Sequence, residues 1–193
     1  MYVKIKLMVK IGTDYSSFEV NTQGLIIDPP WEYDSKHPFI QWEQVTYSRW
    51  KEPEGLNYIF SQKNVQYLFL WATNSKLIDI FRVDHGQFVY KQCITWVKTT
   101  SKGKPTFGPG NNFRNCTEQL LLFVKKGCKP LRIAERNLVV AESGKRTCKP
   151  KEFELHLVKL LEEKGINSTY IFSGPNVDCF KDTNLICVDS CFV

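Results

Sequence analysis

The chain has 193 residues, of which 42% are hydrophobic and 24% are charged, and its formal net charge is +6. This composition excludes fibrous, collagen-like and low-complexity proteins. No apolar run approaches the ~20 residues that a membrane-spanning helix needs. The first residues lack the apolar stretch and cleavage site of a signal peptide, so we expect one intracellular domain over residues 1–193, without a membrane partner.

The basic residues are concentrated in the middle of the chain. Residues 1–97 hold 10 Lys/Arg and 10 acidic residues. Residues 98–151 hold 13 Lys/Arg but only three acidic residues, and residues 152–193 hold three Lys/Arg and seven acidic residues. A basic segment in an otherwise balanced chain predicts a local anion-binding face. A solvated lysine-rich surface is the alternative, and charge alone does not separate the two.

The chain has seven cysteines, an odd number, and none are spaced as C-x-x-C. This pattern favours reduced thiols in an intracellular protein. Cys179, Cys187 and Cys191 could in principle bind zinc, but spacings of eight and four residues match no standard ligand pattern. We therefore expect no metal.

The first half of the chain predicts two buried strands and two helices. Residues 24–28 and 66–72 are short, continuous apolar runs, which is typical of strands covered on both faces. Residues 53–62 predict a short helix. Thr73 or Asn74 can cap a second helix that continues to about residue 84. The apolar face of that helix would comprise Leu77, Ile78 and Phe81.

The second half predicts further strands over residues 88–97, 117–124, 131–140 and 169–172. Residues 98–115 form a long loop rich in Gly, Pro and Asn, and this length indicates a functional segment. Pro150 suits the first turn of a helix that ends at Gly165. Its apolar face would comprise Phe153, Leu157, Leu160 and Leu161. Alternating strands and helices indicate an α/β fold with a mostly parallel sheet and helices on both faces.

The strongest chemical motif is Asp28-Pro29-Pro30-Trp31, which follows the first buried strand. Ligands of open α/β sheets bind at the carboxyl ends of strands. A carboxylate beside a carbonyl that proline fixes can accept both hydrogens of an exocyclic amine, and an adjacent aromatic ring can stack on the heterocycle. The alternative is a strand that ends in a proline-rich turn with a tryptophan in the core.

This tetrapeptide resembles the catalytic motif of amino-methyltransferases that make N6-methyladenine. Within that group, the chain resembles the family of the 70-kDa catalytic subunit of mRNA adenosine methyltransferase and its bacterial, phage and viral relatives. Residues 68–73, 94–99 and 114–118 are similar to successive segments of that family, and Lys149-Pro150 is similar to its Lys-Pro position. The resemblance covers about residues 24–174, and residues 175–193 form a divergent tail.

The resemblance implies a Rossmann-like methyltransferase fold with a permuted motif order and S-adenosylmethionine as methyl donor. It implies a catalytic role for Asp28, Pro29, Pro30 and Trp31, in which Asp28 and the Pro29 carbonyl hold the N6 hydrogens and Trp31 stacks on adenine. It also implies cofactor contacts, which would come from Asp28, Lys149, Phe172, Ser173 and Gly174. The 98–115 loop would lie beside the target base, with nucleic-acid contacts from Lys98, Lys102, Lys104, Asn112 and Arg114. For Trp71 and Trp96 we expect core packing.

The sequence therefore predicts an adenine-N6 methyltransferase that acts on nucleic acid, with DNA favoured over RNA because the chain looks like the compact members. A homodimer, or a heterodimer with a related subunit, would help to select the target. The alternative is a catalytically weak or inactive nucleic-acid-binding subunit, because Gly174 stands where the family usually has a ribose-binding arginine. Methylation of an amide or amine in a protein is a third hypothesis. Asp28 disfavours it, because relatives with that activity generally have Asn at the first position of the motif.

Overall fold

The computed structural model describes residues 20–32, 52–108, 110, 112–144, 148–171 and 186–188. Its strands are β1 (Gly24–Ile27), β2 (Tyr67–Ala72), β3 (Phe88–Thr99), β4 (Thr117–Lys125), β5 (Leu138–Glu142), β6 (Ser168–Ile171) and β7 (Ile186–Val188). Its helices are α1 (Glu52–Phe60), α2 (Leu77–Arg82) and α3 (Lys151–Glu163), and a 3-10 turn, Asn74–Lys76, precedes α2. Among these residues no helix is long and apolar enough to cross a membrane.

The seven strands form one sheet in the order β5-β3-β4-β2-β1-β6-β7. The pairs β1–β2, β1–β6, β3–β5 and β6–β7 are parallel, whereas β4 pairs antiparallel with both β2 and β3. Six strands therefore share one direction, and their carboxyl ends meet at the edge where β4 begins. This is the mostly parallel α/β sheet that the sequence predicts.

Helices cover both faces of the sheet, and the buried side chains of the central strands β1, β2 and β4 alternate between two cores. Leu25 and Ile27 of β1 pack on one face with Leu56 and Ile59 of α1. Ile26 packs on the other face. Its neighbours there include Leu157, Val158 and Leu161 of α3. Strands that are apolar on every residue, rather than on alternate residues, follow directly from this double cover.

Helix α3 ends beside Gly165, as the sequence predicts. Gly165 has a φ of +73°, and its N–H donates to the carbonyl of Glu162 while the N–H of Ile166 donates to that of Leu161. This is the Schellman pattern, in which glycine accepts a left-handed conformation that other residues resist.

Three sequence expectations about the elements need correction. Residues 131–137 are irregular, and only Leu138–Glu142 form a strand. The helix after β2 begins as a 3-10 turn without a side-chain cap, and it buries Ile80 while Ile78 and Phe81 are exposed. Its six α-helical residues are too few to present a long apolar face. The tail, which the sequence left without an element, adds β7 next to β6.

Candidate functional site

Asp28 lies directly after β1, at the edge of the sheet where the carboxyl ends meet. Its Oδ2 atom is 2.8 Å from Nζ of Lys149, which stands two residues before α3. The Lys149 side chain is only 7% exposed and that of Asp28 is 20% exposed. The sequence-predicted catalytic carboxylate and cofactor lysine are therefore in contact.

Lys149 also binds a second carboxylate, and that carboxylate binds a second lysine. Nζ of Lys149 is 3.1 Å from Oε2 of Glu118, and Oε1 of Glu118 is 2.5 Å from Nζ of Lys98. We call this alternating series of Asp28, Lys149, Glu118 and Lys98 the ion-pair chain. It joins the ends of β1 and β3, the start of β4 and the segment before α3, so that four distant parts of the sequence meet.

Burial and neighbouring charges set the pKa values in the ion-pair chain. Burial raises the pKa of Asp28 to about 6, although Lys149 opposes this shift. Burial would lower the pKa of Lys149, but Asp28 and Glu118 raise it above its ordinary value. Burial would raise the pKa of Glu118, but Lys149 and Lys98 together hold it below its ordinary value. At neutral pH all three groups are mainly charged.

The rest of the tetrapeptide turns into the core. Pro29 is buried and Pro30 is half-buried. Trp31 is 6% exposed and packs in the core cluster of α1, and its Nε1 atom has no hydrogen-bond partner among the described residues. This position agrees with the core tryptophan that the sequence left as an alternative, and stacking on adenine remains a prediction.

A second ionic contact fixes the chain just after Trp31. The backbone N–H of Glu32 donates to Oε1 of Glu52 in α1 at 2.6 Å, and the same oxygen is 2.6 Å from Nζ of Lys76. Glu52 is buried despite its charge. It ties the end of the tetrapeptide to α1 and to the turn after β2.

A third carboxyl group lies behind the ion-pair chain. Glu154 of α3 is 1% exposed, and its Oε1 atom accepts hydrogen bonds from Nε1 of Trp71 (3.2 Å) and from the hydroxyl of Tyr170. The ring of Trp71 lies 5.6 Å from Nζ of Lys149. Burial raises the pKa of Glu154 to about 7. Trp71 and Trp96 are both buried, as the sequence predicts.

The structure separates the predicted nucleic-acid contacts into two groups. Lys98 belongs to β3 and to the ion-pair chain, so it is not an open loop residue. Lys102, Lys104, Asn112 and Arg114 are exposed on the loop between β3 and β4. The predicted loop of residues 98–115 therefore begins two residues later than expected, because β3 continues to Thr99.

The predicted cofactor residues Phe172, Ser173 and Gly174 lie outside the described residues. Strand β6 pairs with β1 up to the partners Ile171 and Ile27. Residues 172–174 thus follow the last strand position that pairs beside the Asp28 segment. The tail cysteines considered as zinc ligands also lie outside the part whose side chains are described, whereas Cys93, Cys116, Cys128 and Cys148 form no disulfide within the described residues.

Sequence reasoning missed Glu118, Glu154 and Glu52 as site residues. A signal existed for two of them. Glu154 occupies the first position of the stripe 154, 157, 158 and 161, whose other members are buried apolar residues. Glu118 lies on the same face of β4 as the buried Leu120. A charged residue at a core position is informative because it is buried only when it has partners.

A cavity of about 860 Å³ opens elsewhere, beside α3. Its walls come from β3, β4 and the irregular segment that precedes β5, and include Ile94, Leu122, Arg132 and His156. None of the sequence-predicted site residues that the structure describes lines this cavity, so it is distinct from the edge that carries Asp28.

The charges at this edge suit S-adenosylmethionine. The methionine end of that molecule carries a carboxylate, an ammonium and a sulfonium group. The ion-pair chain offers lysine ammonium groups that can bind the carboxylate of this ligand. The carboxylates of Asp28 and Glu118 can bind its ammonium and sulfonium groups. An alternating set of buried charges is therefore chemically matched to a zwitterionic ligand.

Comparison with known proteins identifies a family that covers most of the chain. Residues 23–174 match the family described as MT-A70, and this range begins before β1 and includes β1 to β6 together with the whole ion-pair chain. No curated protein matches the chain. Methyltransferases of this family use S-adenosylmethionine as methyl donor, and the match covers most of the 193 residues. The chain belongs to the MT-A70 family of S-adenosylmethionine-dependent methyltransferases.

Proposed function

We propose that this methyltransferase modifies N6 of adenine in nucleic acid, with DNA favoured over RNA. The observation that carries the proposal is the Asp28 carboxylate, held at the carboxyl edge of the sheet by Lys149 at 2.8 Å. The preference for DNA comes from the likeness of the sequence to compact bacterial, phage and viral members.

The chemistry follows from what Asp28 and Pro29 can accept. The N6 lone pair of adenine is delocalised into the ring, so the amine is a weak nucleophile. Lys149 binds Oδ2 of Asp28. The other carboxylate oxygen, Oδ1, would accept one N6 hydrogen, and the Pro29 carbonyl would accept the other. Holding both hydrogens lets the nitrogen pyramidalise and fixes its direction of attack.

S-adenosylmethionine supplies an already electrophilic methyl group when it is bound. Lys149 would meet its carboxylate, and the Phe172–Ser173–Gly174 segment would add contacts to the rest of the molecule. Within the chain, Glu118 keeps Lys149 in place at 3.1 Å and Lys98 balances the charge of Glu118. No strong base is required before attack, because the proton leaves from an amine that is already cationic.

The test is transfer of labelled methyl groups to single-stranded and duplex oligonucleotides of DNA and RNA. We expect label in N6-methyladenine with the wild-type protein and a loss of at least about 100-fold in Asp28→Asn, which keeps the shape but removes the charge. Glu163→Gln in α3, which removes the charge of an exposed carboxylate away from the site, is the matched control. Label that survives at full rate in Asp28→Asn would refute the proposed role of the carboxylate.

A supporting subunit without strong activity is the second candidate, and one observation favours it. Trp31 is 6% exposed in the core cluster, so its ring would have to leave that packing to stack on adenine. If wild-type protein binds oligonucleotides but transfers no methyl group to any of them, the supporting role replaces the catalytic one.

We also propose that target selection relies on the exposed loop between β3 and β4, and on a second copy or a related subunit. The loop presents Lys102, Lys104 and Arg114 to solvent. We propose further that the protein acts inside the cell, where cysteines that form no disulfide stay reduced. Sedimentation of the protein with and without an oligonucleotide tests whether a dimer forms on the substrate.

A further inference from the structure

The loop between β3 and β4 holds the two most exposed large apolar side chains of the described residues. Phe107 is 82% exposed and Phe113 is 90% exposed, whereas Val140, the next in rank, is 64% exposed. Burying a phenylalanine side chain is worth about 1.5–3 kcal/mol, so two rings in water forfeit stabilisation that folding could have gained. Rings held out in this way are typical of a binding surface.

Backbone contacts hold this loop in shape. The N–H of Thr106 donates to the carbonyl of Lys98 at 2.8 Å, and the N–H of Gly108 donates to that of Asn115 at 3.1 Å. A Cβ atom at Gly110 would overlap the carbonyl oxygen of Phe113, so the turn requires glycine there. The two phenylalanines are thus displayed on a hydrogen-bonded loop rather than on a random coil.

The charge around the rings selects the class of partner. Residues 98–115 contain four basic residues and no acidic residue. The guanidinium of Arg114 lies 5.0 Å from the ring centre of Phe107, and Lys102 and Lys104 are exposed nearby in sequence. Aromatic rings interleaved with cations are the pattern of surfaces that stack unpaired bases while they contact phosphates.

The root of the loop connects it to the candidate site. Lys98, which lies in β3 one residue before the strand ends, binds Glu118, and Glu118 binds the lysine that holds Asp28. We propose that Phe107 and Phe113 form a stacking platform for unpaired bases that flank the target adenine, and that the protein therefore prefers single strands to duplexes. This inference rests on the proposed function in taking nucleic acid as the substrate.

The test measures binding of a fluorescent 12-nucleotide single strand with one adenine, and of the matching duplex, by anisotropy at several salt concentrations. Base–aromatic stacking is worth about 1–3 kcal/mol per base, so the loss of both rings in Phe107→Ala combined with Phe113→Ala is expected to weaken single-strand binding at least about 30-fold. The slope of log affinity against log salt should not change, because no charge is removed. Phe107→Tyr combined with Phe113→Tyr should keep the wild-type affinity, and Val140→Ala, at an exposed apolar residue of β5, should leave it unchanged.

A matched change in the oligonucleotide sharpens the result. Abasic sites on both sides of the adenine should weaken wild-type binding and have little further effect on the alanine double variant, since the same contact is already lost. Wild-type affinity in the alanine double variant, equal loss on single strand and duplex, or a shift of that variant from dimer to monomer in sedimentation would each overturn the platform. The last outcome would identify a second copy as the occupant.

Failure of the platform can be told from failure of the proposed function. If the alanine double variant binds and methylates like wild type, the platform is wrong and the methyltransferase proposal stands. If the wild type binds single strands through these rings but never labels adenine, the platform stands and the proposed reaction is wrong.

Discussion

Lys149 is the centre of the ion-pair chain, and its replacement by methionine gives the sharpest test of the site. Methionine keeps a long apolar stem but removes the ammonium group that lies 2.8 Å from Asp28 and 3.1 Å from Glu118. After the substitution Glu118 keeps Lys98 at 2.5 Å, whereas Asp28 loses the cation that the structure gives it. The substitution should therefore mainly leave the Asp28 carboxylate without a nearby compensating charge.

The magnitude follows from burial. Removing one partner of a buried ion pair destabilises a protein by about 3–5 kcal/mol, because the other charge stays behind without compensation. Lys149 now lowers the pKa of Asp28, which burial holds at about 6, so its loss raises that pKa further. Each pKa unit corresponds to about 1.4 kcal/mol. Because a protonated Asp28 carries no charge, we expect the full loss near pH 8 and a clearly smaller loss at pH 5.5.

Urea denaturation followed by circular dichroism at both pH values measures this effect. Lys149→Met combined with Asp28→Asn should recover at least about 1 kcal/mol relative to the sum of the single variants at pH 8, because the stranded charge is gone. Lys102→Met, an exposed lysine, is the control. A loss below about 1 kcal/mol, a loss that is equal at both pH values, or the absence of recovery in the double variant would refute the electrostatic reasoning.

Three further predictions concern charge. Methyl transfer should rise with pH around 6, as Asp28 loses its proton, when initial rates are compared from pH 5 to 8. Glu154→Gln should raise the free energy of unfolding by about 3 kcal/mol at pH 8 and little at pH 4.5. The pKa of Glu154 in the native state is about 7, above the ordinary value of 4.5, so the native state binds a proton that the unfolded state has lost. The stability of the wild-type protein should therefore fall as pH rises between these two values. Urea curves of the wild type without this fall would contradict the prediction. Lys102→Gln with Lys104→Gln should flatten the salt dependence of duplex binding by about two units, and an unchanged slope would favour the solvated-surface interpretation.

The elements that the sequence predicts well are those that local pattern determines. Strands β1 and β2 are continuous apolar runs, and β4 contains one over residues 120–124. Helix α3 combines an apolar stripe with Pro150 before it and Gly165 after it. Residues 131–137 contain apolar residues typical of a strand but form none, so composition alone misplaced the start of β5. The apolar pattern of β4 does not indicate the direction in which the strand runs. Its antiparallel pairing is decided by the neighbouring strands β2 and β3.

The sequence by itself determined the α/β fold, the family and the position of Asp28 at the end of a strand. Each of these follows from short patterns of neighbouring residues, such as apolar runs and the tetrapeptide motif. Only the tertiary structure decided that Lys149 meets Asp28, that Glu118 and Lys98 complete the ion-pair chain, and that Trp31 lies in the core. These contacts join residues from β1, β3, β4 and the start of α3, and folding alone brings them to one edge of the sheet. A charge is stable in a buried place only when its partner arrives with it, so the pairing is a property of the fold and not of any local pattern.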